Sequence, residues 1–293
     1  MTTHSVRGRI SAVTGAGSGI GRAVALELDR RGASVAISDV DEAGLQQTAS
    51  LMKRPAHTTV VDTSDRGAVF AWATAVTQHF GRVNQVYNNA GIAWNRSVLD
   101  STWEEYERVL GVNLHGVIHG TQAFLPHIIA SGDGAVVNVS SINGVLSQPG
   151  MSHYCASKFA VRGFTETLRT EMLLAGHPVR VSVVHPGGVA TAISQNALRT
   201  AAERGEQPTA AEEKRNQVYS VKLLKLPAAD AARIIVNGVE RAKPRIRVGK
   251  DAVAMDILAR AAPAFATKLT VVLERTLFGP GRPASSPVVR DAS

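Results

Sequence analysis

The 293-residue chain is 44% apolar and 19% charged, with one cysteine, Cys155, so it can bury a full core without disulfides or metals. Its formal charge of +8 comes from scattered lysines and arginines with no aromatic-basic stripe, which excludes nucleic acid as an expected partner. No apolar run reaches the roughly 20 residues that span a bilayer, and Met1–Ser5 lacks a signal-peptide profile, so a soluble protein of a reducing, cytoplasmic compartment is expected.

Taken from the N-terminus, the first strand is expected at Ile10–Thr14 and leads directly into Gly15, Gly17, Ser18, Gly19, Ile20 and Gly21, which open a helix over Ile20–Arg31. Glycine permits a tight turn and close backbone approach to a pyrophosphate, while the helix N-terminus offers unpaired N–H groups. The GxxxGxG spacing differs from the commoner GxGxxG, and a plain glycine-rich turn is the alternative reading. The second strand, Ser34–Ser38, delivers Asp39, eighteen positions beyond Gly21. Its carboxylate can accept hydrogen bonds from ribose hydroxyls and repels a 2′-phosphate. With no basic residue at Ser18 or Val40, NAD is expected in preference to NADP. Capping the next helix, Glu42–Lys53, is a compatible second duty for Asp39.

The third strand, Thr58–Val61, ends at Asp62 and Thr63, which either border the adenine or form a turn before a helix at Arg66–Phe80. The fourth, Val83–Tyr87, runs into Asn88-Asn89-Ala90-Gly91 and then Trp94, placed at the cofactor edge as a candidate substrate contact. A helix over Thr102–Ser131 carries Asn113. His115 and His119 lie on it too, but no third ligand or HExxH pattern accompanies them, so no metal is expected. Trp72 and Trp103 read as helix packing.

Ser141 follows the fifth strand, Ala135–Ser140, and the helix Ser152–Ala175 carries Tyr154 and Lys158. Four positions apart, these two project from one helix face. A neighbouring ammonium favours phenolate and lowers a tyrosine pKa that is ordinarily near 10. Cys155 points elsewhere and reads as a small packed residue. The sixth strand, Val179–His185, ends before Pro186 and Gly187; a helix at Ala228–Arg241 and a seventh strand at Arg245–Val248 follow.

This alternation predicts an α/β fold with a doubly wound parallel sheet in the order 3-2-1-4-5-6-7, helices on both faces, in one unit over 1–250. Within it, 192–226 is polar, charged and long for a connection, which suggests a substrate lid. Val145, Met151, Val189 and Ile193 flank the motifs and make an apolar pocket wall, favouring a hydrophobic, steroid-like or lipid-derived alcohol or ketone. Beyond the last strand, 251–278 reads as an amphipathic helix divided by Pro263. Leu258, Phe265, Leu269, Val272 and Leu273 share its apolar face, with Asp256, Arg260, Thr267 and Glu274 opposite. Packing against protein is favoured for that face, and peripheral membrane contact is the alternative because Lys243, Arg245, Arg247 and Lys250 precede it. The segment 279–293, rich in Pro, Gly and Ser, is expected to be disordered.

The glycine motif Thr14–Gly21, Asn88–Gly91, Asn113, Ser141, Tyr154-Cys155-Ala156-Ser157-Lys158 and Pro186-Gly187 with Thr191 occur in one order over Arg7–Val248. In this the chain resembles the short-chain dehydrogenase/reductase family, in its single-domain branch. The resemblance implies a Rossmann-type fold and hydride transfer between NAD(P) and a secondary alcohol or ketone. It implies that Tyr154 is the acid/base, Ser141 orients the substrate oxygen, Lys158 holds the nicotinamide ribose and Asn113 supports a proton path. Asn89, Ala90 and Gly91 would line the cofactor, and Pro186, Gly187, Val189 and Thr191 would meet its nicotinamide end. It further implies dimers or tetramers, paired through the helices at Thr102–Ser131 and Ser152–Ala175. A non-catalytic dinucleotide-binding sensor or scaffold is the alternative from another class; the intact Asn113, Ser141, Tyr154 and Lys158 weigh against it.

Overall fold

The computed structural model describes residues 4–191 and 224–278. Most of the expected lid, the substrate candidate Ile193 and the whole 279–293 tail lie outside them. The strands in chain order are β1 (Ile10–Thr14), β2 (Ser34–Asp39), β3 (His57–Val60), β4 (Gln85–Asn88), β5 (Gly134–Val139), β6 (Val179–Pro186), β7 (Val189–Ala190), β8 (Leu226–Pro227) and β9 (Arg245–Val248). The helices are α1 (Gly19–Arg30), α2 (Glu42–Ser50), α3 (Arg66–Phe80), α4 (Trp103–Leu110), α5 (Gly116–Ala130), α6 (Ser152–Leu174), α7 (Ala228–Glu240), α8 (Lys250–Ala261) and α9 (Pro263–Phe278).

Seven strands form one parallel sheet in the order β3-β2-β1-β4-β5-β6-β9. The seventh strand of the expected order is thus β9, because the two-residue strands β7 and β8 pair only with each other. Both faces of the central strands β1, β4, β5 and β6 are dry, as buried parallel strands require, while the edge strand β3 is partly exposed. Successive residues serve opposite sides. Val13 and Val137 meet Val24, Leu28, Ile235 and Val236 from α1 and α7, while Ala12 and Val136 meet Trp72, Phe124, Ile128 and Leu168 from α3, α5 and α6. Trp72 and Phe124 cross edge to face at 5.0 Å. A buried polar chain ties the second layer to the sheet: Asn88 Nδ2 donates to Thr121 Oγ1 (3.1 Å) and Asn138 Oδ1 (2.8 Å), and Asn138 Nδ2 donates to Thr165 Oγ1 (3.0 Å).

Local signals set the helix starts. Asp41 caps α2 by accepting from Gly44 N, Asp65 caps α3 by accepting from Ala68 N, and Thr102 with Glu105 forms a capping box on α4. The cap considered for Asp39 therefore belongs to Asp41, and Asp39 accepts the Asp41 N–H instead (3.1 Å). Two readings at α4 are also corrected. The helix expected over Thr102–Ser131 is interrupted at Gly111–His115 by a π turn, in which the Gly116 N–H reaches the Gly111 carbonyl. Trp103 does not pack inward but is 68% exposed, its ring stacked along the helix surface on Tyr106.

The extension after β9 breaks at Ala262 into α8 and α9. Its inward face is only partly the expected one, with Ala252 and Ala266 buried and Leu258 and Leu269 half-buried. Asp256 is buried, while Phe265, Val272 and Leu273 are exposed. The cause is charge pairing, since Asp256 accepts from Arg260 (2.9 Å), Arg245 (3.2 Å) and Arg247 (3.4 Å). Arg245 also pairs with Glu166 of α6. These two arginines are thus turned on carboxylates and do not form an open basic patch. No helix among the described residues is long and apolar enough to cross a membrane.

Candidate active site

The glycine turn sits at the carboxyl end of β1, where β4 comes closest. Gly15 has φ +64°, and a Cβ there would lie 2.7 Å from the Ala90 Cα. A Cβ on Gly21 would lie 2.0 Å from the Gly15 carbonyl. Both positions require glycine for space, and the first for its backbone too. Asn89 braces the turn from below: its Nδ2 donates to the Thr14 and Gly15 carbonyls (3.0 and 3.2 Å), and the N–H groups of Asn89 and Ala90 donate to Thr14 Oγ1 (2.9 and 3.0 Å). Arg22, which sequence reasoning passed over, runs beneath the loop, donating to Thr48 Oγ1 (3.0 Å) and to the Gly17 carbonyl. Its place one turn after Ser18 was the available signal.

Helix α1 begins here without a side-chain cap at Ser18 and without an acid in its first turn. Its leading N–H groups and positive dipole end therefore suit a pyrophosphate. Asp39 Oδ2 accepts the Gly17 N–H (2.8 Å), which fixes the carboxylate at the rim of the turn with lone pairs to spare for ribose hydroxyls. From the other side, Thr191 comes within 3.4 Å of where a Gly19 side chain would stand. This cradle fits a dinucleotide. At the end of β3, Asp62 closes a turn by accepting from Ser64 N and Oγ (2.9 and 2.7 Å), while Thr63 is buried with its carbonyl taking the His119 Nδ1–H (3.1 Å).

The second cluster lies at the ends of β4 and β5. The π turn aims Asn113 inward, where Oδ1 accepts the Ile92 N–H (2.8 Å) and Nδ2 donates to the Ile92 carbonyl (2.9 Å) and Ser157 Oγ (3.1 Å). Asn113 Oδ1 and Lys158 Nζ both border Gly91, at 3.2 and 3.3 Å from the place of a Cβ. Lys158 donates to the Val139 carbonyl (3.1 Å), and its ammonium lies 5.7 Å from the centre of the Tyr154 ring. Ser141 is buried, with Oγ accepting from Asn143 N (3.1 Å). Asn113, Ser141, Tyr154 and Lys158 thus come together from three elements.

Burial dominates the electrostatics. It raises the Tyr154 phenol, with a hydrogen bond from Ser141 pulling the other way. It lowers the Lys158 ammonium to about 8. The Tyr154 phenol is therefore raised where the helix spacing suggested a depression: desolvation outweighs the opposing pull of Ser141.

Around the cluster, Val145 and Met151 are half-buried, and Met151 bridges to Arg96. Trp94, the candidate substrate contact, is held from behind by α4. Its indole is buried and donates to Glu105 Oε1 (2.9 Å), a carboxylate that also holds Arg96 (2.8 Å) and the Thr102 N–H (2.9 Å). Two histidines at the site also went unread. His185 Nδ1 donates to the Ser141 carbonyl (2.8 Å) and His153 Nδ1 accepts the Tyr154 N–H (2.9 Å), both fully buried. Adjacency to Pro186 and to Tyr154 was their signal.

A family model described as short chain dehydrogenase matches residues 9–202. The "Putative oxidoreductase SadH" of Mycobacterium tuberculosis is 49% identical over 261 residues, covering 87% of this chain and 91% of that protein. Levodione reductase of Leifsonia aquatica is 34% identical over 197 residues, or 65% of this chain and 73% of that one. A crystal structure of a short chain dehydrogenase/reductase from Burkholderia phymatum, in complex with NAD, matches with a TM-score of 0.80 at 32% identity, covering 96% of this chain and 99% of that one. With its sheet order and strand-end cradle, the protein is a Rossmann-type oxidoreductase. Within that class, the chain belongs to the short-chain dehydrogenase family.

Proposed function

We propose that the protein is an NAD-dependent oxidoreductase interconverting a secondary alcohol and a ketone, with Tyr154 as its acid/base. The observation that carries this reading is the buried Tyr154 phenol, drawn down by the neighbouring Ser141 against its burial and with its ring centre 5.7 Å from the Lys158 ammonium, at strand ends next to the glycine cradle. NAD, when bound, supplies the hydride acceptor or donor; the protein supplies geometry and proton transfer. Gly15, Gly17, Ser18, Gly19, Ile20 and Gly21 would hold the pyrophosphate, Asp39 the adenosine ribose, Asn89, Ala90 and Gly91 the adjoining edge, and Pro186, Gly187, Val189 and Thr191 the nicotinamide end.

Because burial keeps Tyr154 a neutral phenol, its OH is ready to protonate a carbonyl oxygen, and Ser141 Oγ orients that oxygen. Lys158, with its pKa brought to about 8, can resupply the proton near neutral pH. Asn113 fixes the segment at Ile92 and Ser157 around that lysine. The carboxylate of Asp39 favours NAD over NADP by repelling a 2′-phosphate, and the half-buried Val145 and Met151 favour an apolar substrate. Phe159 and Leu173, exposed along α6, support a symmetric oligomer.

The test is Tyr154→Phe assayed with NAD and a panel of secondary alcohols, alongside cofactor titration by fluorescence. Turnover should vanish while NAD binding persists. Retained turnover refutes the mechanism, and turnover by the wild type of sugars or polyols alone refutes the apolar-substrate reading.

A further inference from the structure

The stretch after β6 that approaches the glycine turn is held by a residue from outside the sheet. Gly187 N donates to the Val248 carbonyl at the end of β9 (2.9 Å). The next residue is gripped on both sides: the Gly188 carbonyl accepts from Lys225 N and Leu226 N (3.0 Å each), and the Gly188 N–H donates to Asp251 Oδ2 (2.7 Å). Asp251 is the second residue of α8, and the N-terminal end of a helix stabilises its carboxylate.

The carboxylate occupies a seat that only glycine can provide. A Cβ on Gly187 would lie 2.3 Å from Asp251 Oδ2, and a Cβ on Gly249 would lie 2.3 Å from Oδ1, with Gly249 itself at φ +108°. Three residues beyond Gly188, Thr191 meets the glycine turn at Gly19. Asp251 therefore sets where the 186–191 stretch stands relative to the cradle.

We propose that Asp251 is a positioning residue for the nicotinamide half of the cofactor, so that α8 is a working part of the site. This rests on the reading of 186–191 as the wall at that end. Asp251 acts through the Gly188 amide and does not itself touch the ligand. Its contribution is one charge-assisted hydrogen bond partly open to water, which corresponds to about a five- to tenfold change in affinity.

The experiment measures, by calorimetry, binding of NAD and of ADP-ribose, which lacks the nicotinamide, to the full chain and to Asp251→Ala and Asp251→Asn. Asp251→Ala should bind NAD about five- to tenfold more weakly and ADP-ribose as the wild type does. Asp251→Asn, which keeps an acceptor oxygen, should restore NAD binding to within about twofold. Unchanged NAD binding in Asp251→Ala overturns the proposal alone. Equal losses for both ligands, or an Asn variant as weak as the Ala variant, overturn it as well, because Asp251 would then be supporting the fold generally. A wild type that binds neither ligand removes the site reading and this inference with it.

Discussion

Replacing Lys158 with methionine should stabilise the cofactor-free protein while destroying its chemistry. The ammonium is buried against the Val139 carbonyl, and burial lowers its pKa from 10.5 to about 8. A lysine whose folded pKa is depressed is penalised in its charged form. Below about pH 8 it is protonated in both folded and unfolded chains, so the full penalty applies: 2.5 units at 1.36 kcal/mol each, or about 3 kcal/mol. Loss of the bond to Val139 returns about 1 kcal/mol, leaving a net gain of about 2 kcal/mol at pH 7. Between pH 8 and 10.5 the folded lysine is neutral and the unfolded one charged, so wild-type stability rises with pH relative to the variant. At pH 9.5 the wild type should have recovered about 2 kcal/mol of the difference, eliminating the advantage of Lys158→Met. Urea denaturation of both proteins at pH 7 and 9.5 tests this, with the variant-minus-wild-type difference cancelling every other titrating group. A difference that does not change with pH would show that Lys158 is not desolvated, and the proton-supply role given to it would fall.

Asp39→Ala should weaken NAD and narrow the gap to NADP, since it removes both the ribose acceptor and the charge that repels a 2′-phosphate; titrations unchanged for both cofactors would refute the assignment. Gly120→Ala places a Cβ 2.1 Å from Asn88 Oδ1 and must push apart the Asn88–Thr121–Asn138 chain. An overpacking cost of about 1–3 kcal/mol is expected, read as a lowered Tm, and an unchanged Tm would show that the layer has slack. Asp256→Ala removes the carboxylate shared by Arg245, Arg247 and Arg260. Because Arg247 and Arg260 are 39% and 48% exposed and can turn to water, the cost should be about 1–2 kcal/mol, less than for a fully buried pair. Limited proteolysis should then cut α8 sooner, and wild-type resistance in the variant would count against this anchor.

What could be read in the sequence was whatever depends on neighbours along the chain. The glycine turn follows β1 without a gap, Asp39 ends β2, and Tyr154 and Lys158 share a helix face by spacing alone. What failed depends on partners distant in sequence. Periodicity assigned Asp256 to water because a lone carboxylate prefers it, but β9 supplies two arginines that draw it inward. The loop position of Trp94 gave no sign that the buried Glu105 takes its indole N–H. Spacing likewise placed the lysine beside the tyrosine but carried no measure of desolvation, so the sign of the phenol's shift was missed.

The π turn at Gly111–His115 also makes the helix it interrupts a phased shaft. Each residue turns an α-helix by about 100°, so losing or gaining one residue within 111–115 would rotate α4 against α5 by that angle. Tyr106, whose hydroxyl meets Ser152 Oγ at 2.6 Å, would swing off α6, and Glu105 would leave Trp94 and Arg96. Asn113 and the Trp94–Glu105–Arg96 group are therefore geared together. A length change inside 111–115 should disable the protein even where every candidate catalytic side chain is kept.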